Sequence, residues 1–256
     1  MMSFSLQFVL VLIGTFMIAL VLTPLVRLFS FKIDAVDYPN ARRINTKPMP
    51  SAGGLSIVIS FTIATLVFIP MLTSTTAPIK SYLSYTLPVV GAGWIIALTG
   101  LIDDVKELSA KKKMIGILLA ASLVWFLTDF RLNDFKIPFG GPLLHFEPWL
   151  SYLLTVIWIV AITNAVNLID GLDGLVSGVS IISLVTMGIV SYFFLPVPNL
   201  FLTMTIFVLV ASIAGFFPFN YHPAILYLGD TGALFIGFMI SVLSLQRLEK
   251  MQRQLR

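Results

Sequence analysis

Long apolar runs separated by short polar breaks take up most of the chain: 4–29, 53–72, 82–102, 114–128, 149–166, 175–196, 199–217 and 232–246. A helix that crosses a bilayer needs about 20 apolar residues. The pattern therefore predicts an all-α, polytopic membrane protein with about eight transmembrane helices. The runs 114–128 and 232–246 are the shortest. They leave no room for a separate soluble unit, so residues 1–256 read as one integral membrane domain. No internal repeat is evident, although an inverted-repeat transporter would be expected to show one.

Composition agrees with this reading. The 256 residues are 58% hydrophobic and 11% charged, whereas soluble domains carry roughly a quarter charged residues. Cysteine is absent, which excludes disulfides and thiolate metal sites. The net charge of +4 does not call for nucleic acid, because basic residues in a membrane protein first report topology. The first run has no basic residue before it and no small-residue cleavage site, and reads as a retained helix.

The polar breaks alternate in charge. Arg27, Lys32, Arg42, Arg43, Lys47, Lys106, Lys111, Lys112 and Lys113 flank or fill the first and third breaks, whereas Lys80, Arg131 and Lys136 lie in the second and fourth. Short Lys/Arg-rich loops stay in the cytoplasm, so the N-terminus is expected outside. The loops near 30–52, 103–113, 167–174 and 218–231 are then expected inside. On this count the basic tail from Gln246 to Arg256 falls outside, against the same rule.

The polar clusters at Asp103 and Asp104, Asn164 to Gly174, and Asn220 to Asp230 are then all expected at cytoplasmic helix ends. The central one is Asn164-Ala-Val-Asn167-Leu-Ile-Asp170-Gly171-Leu172-Asp173-Gly174. Carboxylates at membrane depth are expensive and mark a cavity or partner. An Asx-rich turn would account for one Asp-Gly pair but not for two pairs preceded by two asparagines. Asp103 and Asp104, near Lys106 and Lys111 to Lys113, could hold a hydrated Mg2+ or take a proton from a phosphate. A capping box from Asp104 to Glu107 would explain Asp104 but not Asp103. Gly229-Asp230-Thr231-Gly232 opens the last run, where a carboxylate beside free backbone N–H groups suits a phosphate bridged by metal; a simple N-cap is the plain alternative. The first loop carries Arg42 and Arg43, whose forked guanidinium groups suit phosphate, or which simply anchor the topology. His145 and His222 read as ordinary loop histidines, with no metal-ligand spacing around them.

Together these stretches resemble the polyprenyl-phosphate N-acetylhexosamine-1-phosphate transferases (glycosyltransferase family 4), from about Asp37 to Gly237. The motifs are Asp-x-Pro-x-x-Arg with a later Gly-Gly, Asp-Asp before Leu-Ser-Ala-Lys-x-Lys, Asn-x-x-Asn-x-x-Asp-Gly-x-Asp-Gly, and Asn-x-x-Pro-Ala leading to Gly-Asp-x-Gly. The first loop is more similar to the branch that starts O-antigen or teichoic acid linkage than to the branch using UDP-MurNAc-pentapeptide. The resemblance implies transfer of a sugar-1-phosphate, GlcNAc-1-phosphate first, from a UDP-N-acetylhexosamine to undecaprenyl phosphate with release of UMP. It implies Mg2+, with Mn2+ as a substitute, a multi-pass enzyme in the cell membrane with a cytoplasm-facing site, contact with membrane lipid, and room for a homodimer.

By the same resemblance Asp230 would be the central metal ligand with Asn167 beside it, and Asp103 and Asp104 would activate the lipid phosphate or help position the metal. Lys113 would contact phosphate. Asp170, Gly171, Leu172 and Asp173 would hold uridine, with Asn220 and Tyr227 across the pocket, and Arg42 and Arg43 would meet donor or lipid phosphate. Two departures stand out. Asn45 replaces a usual histidine, and a late histidine-rich loop of the family has no counterpart, as if the chain were shortened at its C-terminus. The other classes to set beside the transferase are an inactive shortened member and a transporter of an anionic solute.

Overall fold

The computed structural model describes residues 4–39, 47–73, 79–137, 141–194 and 200–253. The apolar runs are helices: α1 (Phe4–Lys32), α2 (Gly54–Ile63), continued through a π-helical turn (Ala64–Phe68) into α3 (Ile69–Thr73), then α4 (Ile79–Lys106), α5 (Ala110–Leu127), α6 (Pro148–Leu168), α7 (Leu175–Phe193), α8 (Leu200–Asn220) and α9 (Gly229–Arg253). Among the described residues, six stretches are long and apolar enough to cross a membrane, and the apolar part of α9, Gly229–Leu245, is shorter. The protein is a polytopic all-α membrane protein.

The π turn has a local cause. Pro70 has no N–H to offer the carbonyl four residues back, and its ring crowds that carbonyl. Ile69 N–H bonds instead to Ala64 O, and the Thr65 carbonyl accepts from the Tyr82 hydroxyl of α4 at 3.0 Å. An intrahelical bond is thus exchanged for one between helices.

The last helix occupies the middle of the bundle. α9 packs against α2, α4 and α6, and Ala233, Leu234, Phe235, Ile236, Phe238, Met239, Val242, Leu243 and Leu245 are all buried. A helix apolar on every side is one surrounded by protein or lipid; here it is protein. The run at 232–246, short for a span, is therefore the hub of the fold. α1 and α7 pack on α8, and α5 bridges α4 and α6. The outward faces of α1 and α7, with Leu6, Ile13, Val21, Leu28, Ile182 and Phe193, are exposed apolar surface suited to lipid.

Lipid tails are as apolar as leucine, so helices in a bilayer associate through close packing and interhelical hydrogen bonds. Both are present. Gly54 of α2 lies against the Gly232 backbone of α9 so closely that a Cβ at Gly54 would overlap it. Trp94 donates to Thr62 at 3.0 Å, Thr23 to Ser56 at 3.1 Å, and Trp158 to Ser244 at 3.1 Å.

Two short antiparallel ladders were not foreseen from the apolar pattern. β1 (Val36–Asp37) pairs with β2 (Met49–Pro50) and closes the base of the first loop. β3 (Asp134–Lys136) pairs with β4 (Leu143–His145) between α5 and α6, with His145 Nδ1 against Asp134. This hairpin lies at the end of α5 opposite Lys113.

Candidate active site

Four helix ends meet at one end of the bundle. The last turn of α4 carries Asp103 and Asp104, the first turn of α5 Lys113, the last turn of α6 Asn167, and the first turn of α9 Asp230. Lys113 Nζ lies 2.5 Å from Asp230 Oδ2 and 2.6 Å from Asp103 Oδ2. Asn167 Nδ2 donates to Asp230 Oδ1 at 2.6 Å. The motifs separated in sequence thus converge on one ion cluster. Its members are partly open: the side chains of Lys113 and Asp230 retain 26% and 23% exposure, enough for a ligand to reach them.

The neighbouring aspartates face different ways. Successive residues of a helix are about 100° apart, so Asp103 and Asp104 cannot share a direction. Asp103 turns to Lys113 and also accepts from Leu108 N–H at 2.5 Å. Asp104 turns to α9 and accepts from Asp230 N–H at 2.8 Å, Thr231 N–H at 3.1 Å and the Thr231 hydroxyl at 2.5 Å. The capping box to Glu107 does not form. α4 runs through Lys106, Glu107 leaves it with φ 46°, and α5 begins after Ser109. Asp230 is likewise no plain N-cap of α9, since the acceptor for its own N–H comes from α4.

The turn before α9 is held from several sides. Gly53 N–H bonds to Tyr227 O at 3.0 Å, Gly54 N–H to Leu228 O at 2.8 Å, and Tyr227 N–H to Pro50 O at 2.9 Å. Gly229 has φ 71°, and a Cβ there would overlap the Ser51 carbonyl. Tyr227 lies half-buried in this lacing. Asn220 is buried; its Oδ1 accepts from Ser177 at 2.8 Å and its Nδ2 donates to Leu226 O at 3.3 Å, so its amide shapes the α8–α9 loop.

The α6–α7 loop forms the neighbouring wall. Asp173 Oδ2 accepts from Ala224 N–H at 3.0 Å and lies 3.0 Å from His222 Nδ1, joining the two loops. Gly171 and Leu172 are exposed. Asp170 lies half-buried. Burial, then the charges of Asp230 and Asp37, push its carboxyl up to about 7, near half-protonation at neutral pH. Arg42, Arg43 and Asn45 fall outside the described residues. Sequence reasoning passed over Thr231, Leu108 and Ser177, which hold the site through backbone or hydroxyl groups; the only signal was the threonine inside Gly-Asp-Thr-Gly.

A protein-family model described as glycosyl transferase family 4 matches residues 86–247, a span that begins in α4 and ends in α9. The chain belongs to glycosyl transferase family 4. Within that family it is 39% identical, over 95% of its length, to a probable undecaprenyl-phosphate N-acetylglucosaminyl 1-phosphate transferase of Bacillus subtilis. It is 32% identical, over 86% of its length, to a decaprenyl-phosphate N-acetylglucosaminephosphotransferase of Mycolicibacterium smegmatis. A phospho-N-acetylmuramoyl-pentapeptide-transferase of Staphylococcus saprophyticus is 33% identical over 93% of the chain. This family 4 glycosyl transferase chain spans 64%, 55% and 74% of the lengths of those three relatives. The match covers every helix end that contributes to the ion cluster.

Proposed function

We propose that the chain carries the site of a sugar-1-phosphate transferase, which moves GlcNAc-1-phosphate from UDP-GlcNAc to undecaprenyl phosphate and releases UMP. The observation that carries this reading is the Asp103–Lys113–Asp230–Asn167 cluster, set at four helix ends where a membrane-held acceptor and a water-borne donor can meet. In the reaction an oxygen of the lipid phosphate attacks the β-phosphorus of the donor. The bond from that phosphorus to the bridging oxygen breaks, and UMP leaves with the oxygen. Such transfer asks mainly for positioning and charge neutralisation.

The residues fit a divalent cation. Asp103 and Asp230 against Lys113 leave the cluster net anionic, yet donor and acceptor are both anionic phosphates. Among the described residues no three carboxylate or imidazole side chains converge on one point. Mg2+ asks for no more than one or two protein carboxylates, with substrate phosphates and water completing its shell. Asp230 would hold it, and Asn167, which orients Asp230 through its N–H, has its amide oxygen left as a ligand atom. Bound there, Mg2+ would neutralise charge on the pyrophosphate. Lys113, fixed between two carboxylates, would offer ammonium hydrogens to the same oxygens, and Asp103 would accept a proton from the lipid phosphate. The basic first loop and Lys111 to Lys113 support a cytoplasmic position for this end of the bundle, where UDP-sugars would meet it, as the first membrane step of a cell-envelope polymer.

The test is UMP release by protein in detergent or nanodiscs, with UDP-GlcNAc and undecaprenyl phosphate. Release should require the lipid, stop with EDTA and return with Mg2+ or Mn2+. Release indifferent to chelation would reject the metal reading. UMP absent from folded protein with several UDP-N-acetylhexosamines would reject the transferase.

A further inference from the structure

The first residues of a helix have N–H groups without intrahelical partners, and a side chain just before the helix usually caps them. α9 has no such side chain, because Leu228 before it is apolar and Gly229, its first residue, fits so tightly to Ser51 that no side chain has room there. The amides of its second and third residues, Asp230 and Thr231, are taken instead by Asp104, which lies 126 and 127 residues earlier in the chain. One oxygen accepts from Asp230 N–H, and the other from both the N–H and the hydroxyl of Thr231. This carboxylate has three donors aimed at it, and two are the backbone of the very turn that carries the Asp230 side chain.

We propose that Asp104 is a positioning residue, which caps α9 from α4 and thereby aims the Asp230 carboxylate at Lys113 and Asn167. This rests on the transferase reading for the reaction it serves. Asp103 and Asp104 are then not an interchangeable acidic pair. Asp103 turns to the ion cluster, whereas Asp104 sets the backbone under it. The orientation of Asp230 follows from these hydrogen bonds.

The experiment compares Asp104→Asn, Asp104→Ala and Asp103→Asn in the same membrane preparation. Lipid-dependent UMP release is followed against pH, and hydrogen–deuterium exchange is followed in the peptide spanning residues 229–233. An asparagine keeps one acceptor oxygen, so Asp104→Asn should retain turnover within about tenfold of the parent with the same pH profile. Asp104→Ala should lose a further tenfold or more in kcat, and amide exchange at Asp230 and Thr231 should quicken in the order parent, Asn, Ala. Loss of a proton-transfer group removes about 10²–10⁴ in rate. A fall of that size in Asp104→Asn, with an altered pH profile and unchanged exchange at residues 229–233, would overturn the inference. Unchanged exchange in Asp104→Ala would overturn it as well, even if the alanine variant were impaired. If the parent protein released no UMP, the transferase reading would fail on its own ground, while the exchange series would still decide whether Asp104 caps α9.

Discussion

Asp230→Asn is expected to abolish transfer while the protein still folds into the membrane. The substitution is nearly isosteric, so α9 keeps its cap from Asp104 and its burial among α2, α4 and α6. What it removes is the charge. Lys113 would be left with Asp103 alone, and the carboxylate that Asn167 orients would no longer be there to hold a cation. Removing one group that stabilises developing charge lowers turnover by roughly 10²–10³, and a lost metal ligand should fall at or beyond that range. UMP release checks the activity, and gel filtration with thermal unfolding in the same detergent checks the fold. Turnover near that of the parent would take Asp230 out of the site.

Gly229→Ala should produce the largest loss of folded protein. Left-handed backbone costs a non-glycine residue about 1–2 kcal/mol, and φ at Gly229 is 71°. The added Cβ would also overlap the Ser51 carbonyl and come within 2.8 Å of Asp104 Oδ2. The Ser51 carbonyl is backbone and is held in place, because Ser51 N–H is itself bonded to Ala35 O and the adjoining Gly53 and Gly54 amides are bonded to 227–228. The combined cost should exceed about 3 kcal/mol, the upper end of what single substitutions ordinarily cost. The yield of monodisperse protein should fall sharply, and survivors should unfold at lower temperature. Gly171→Ala is the matched control: a Cβ there meets nothing within 4 Å, so the fold should be retained. Equal behaviour of the two variants would contradict the tight turn described before α9.

Hydropathy made the helices legible because nearly every one must present apolar surface either to lipid or to a neighbour. The run at 114–128 was read too short at its start. Lys111 to Lys113 break the apolar pattern, yet they form the first turn of α5, where charges can emerge from the membrane. The run at 232–246 was weighed by length, but a helix surrounded by protein on α2, α4 and α6 need not match the bilayer by itself. The two-residue and three-residue ladders escaped notice because such short strands carry too little alternation to stand out.

The site was legible as a set of motifs and much less so as a geometry. Four helix ends on one side implied that Asp103, Lys113, Asn167 and Asp230 would approach one another. The different duties of Asp103 and Asp104 were hidden, since they depend on which way each faces on α4 and on partners more than a hundred positions away. Asn220 and Asp173 were expected around a nucleotide. In the structure Asn220 is tied to Ser177 and Leu226, and Asp173 joins the 167–174 loop to Ala224 and His222. These bonds tie the α6–α7 loop and the α8–α9 loop together.

The most direct test of the central claim follows the phosphorus. UDP-GlcNAc labelled with ³²P at the β-position is incubated with the purified 256-residue protein, Mg2+ and undecaprenyl phosphate, and the lipid extract and nucleotides are separated. Transfer of a sugar-1-phosphate predicts label in the lipid fraction in step with unlabelled UMP. Label retained in UDP with sugar moved to lipid, or no label in lipid from folded protein, would contradict it.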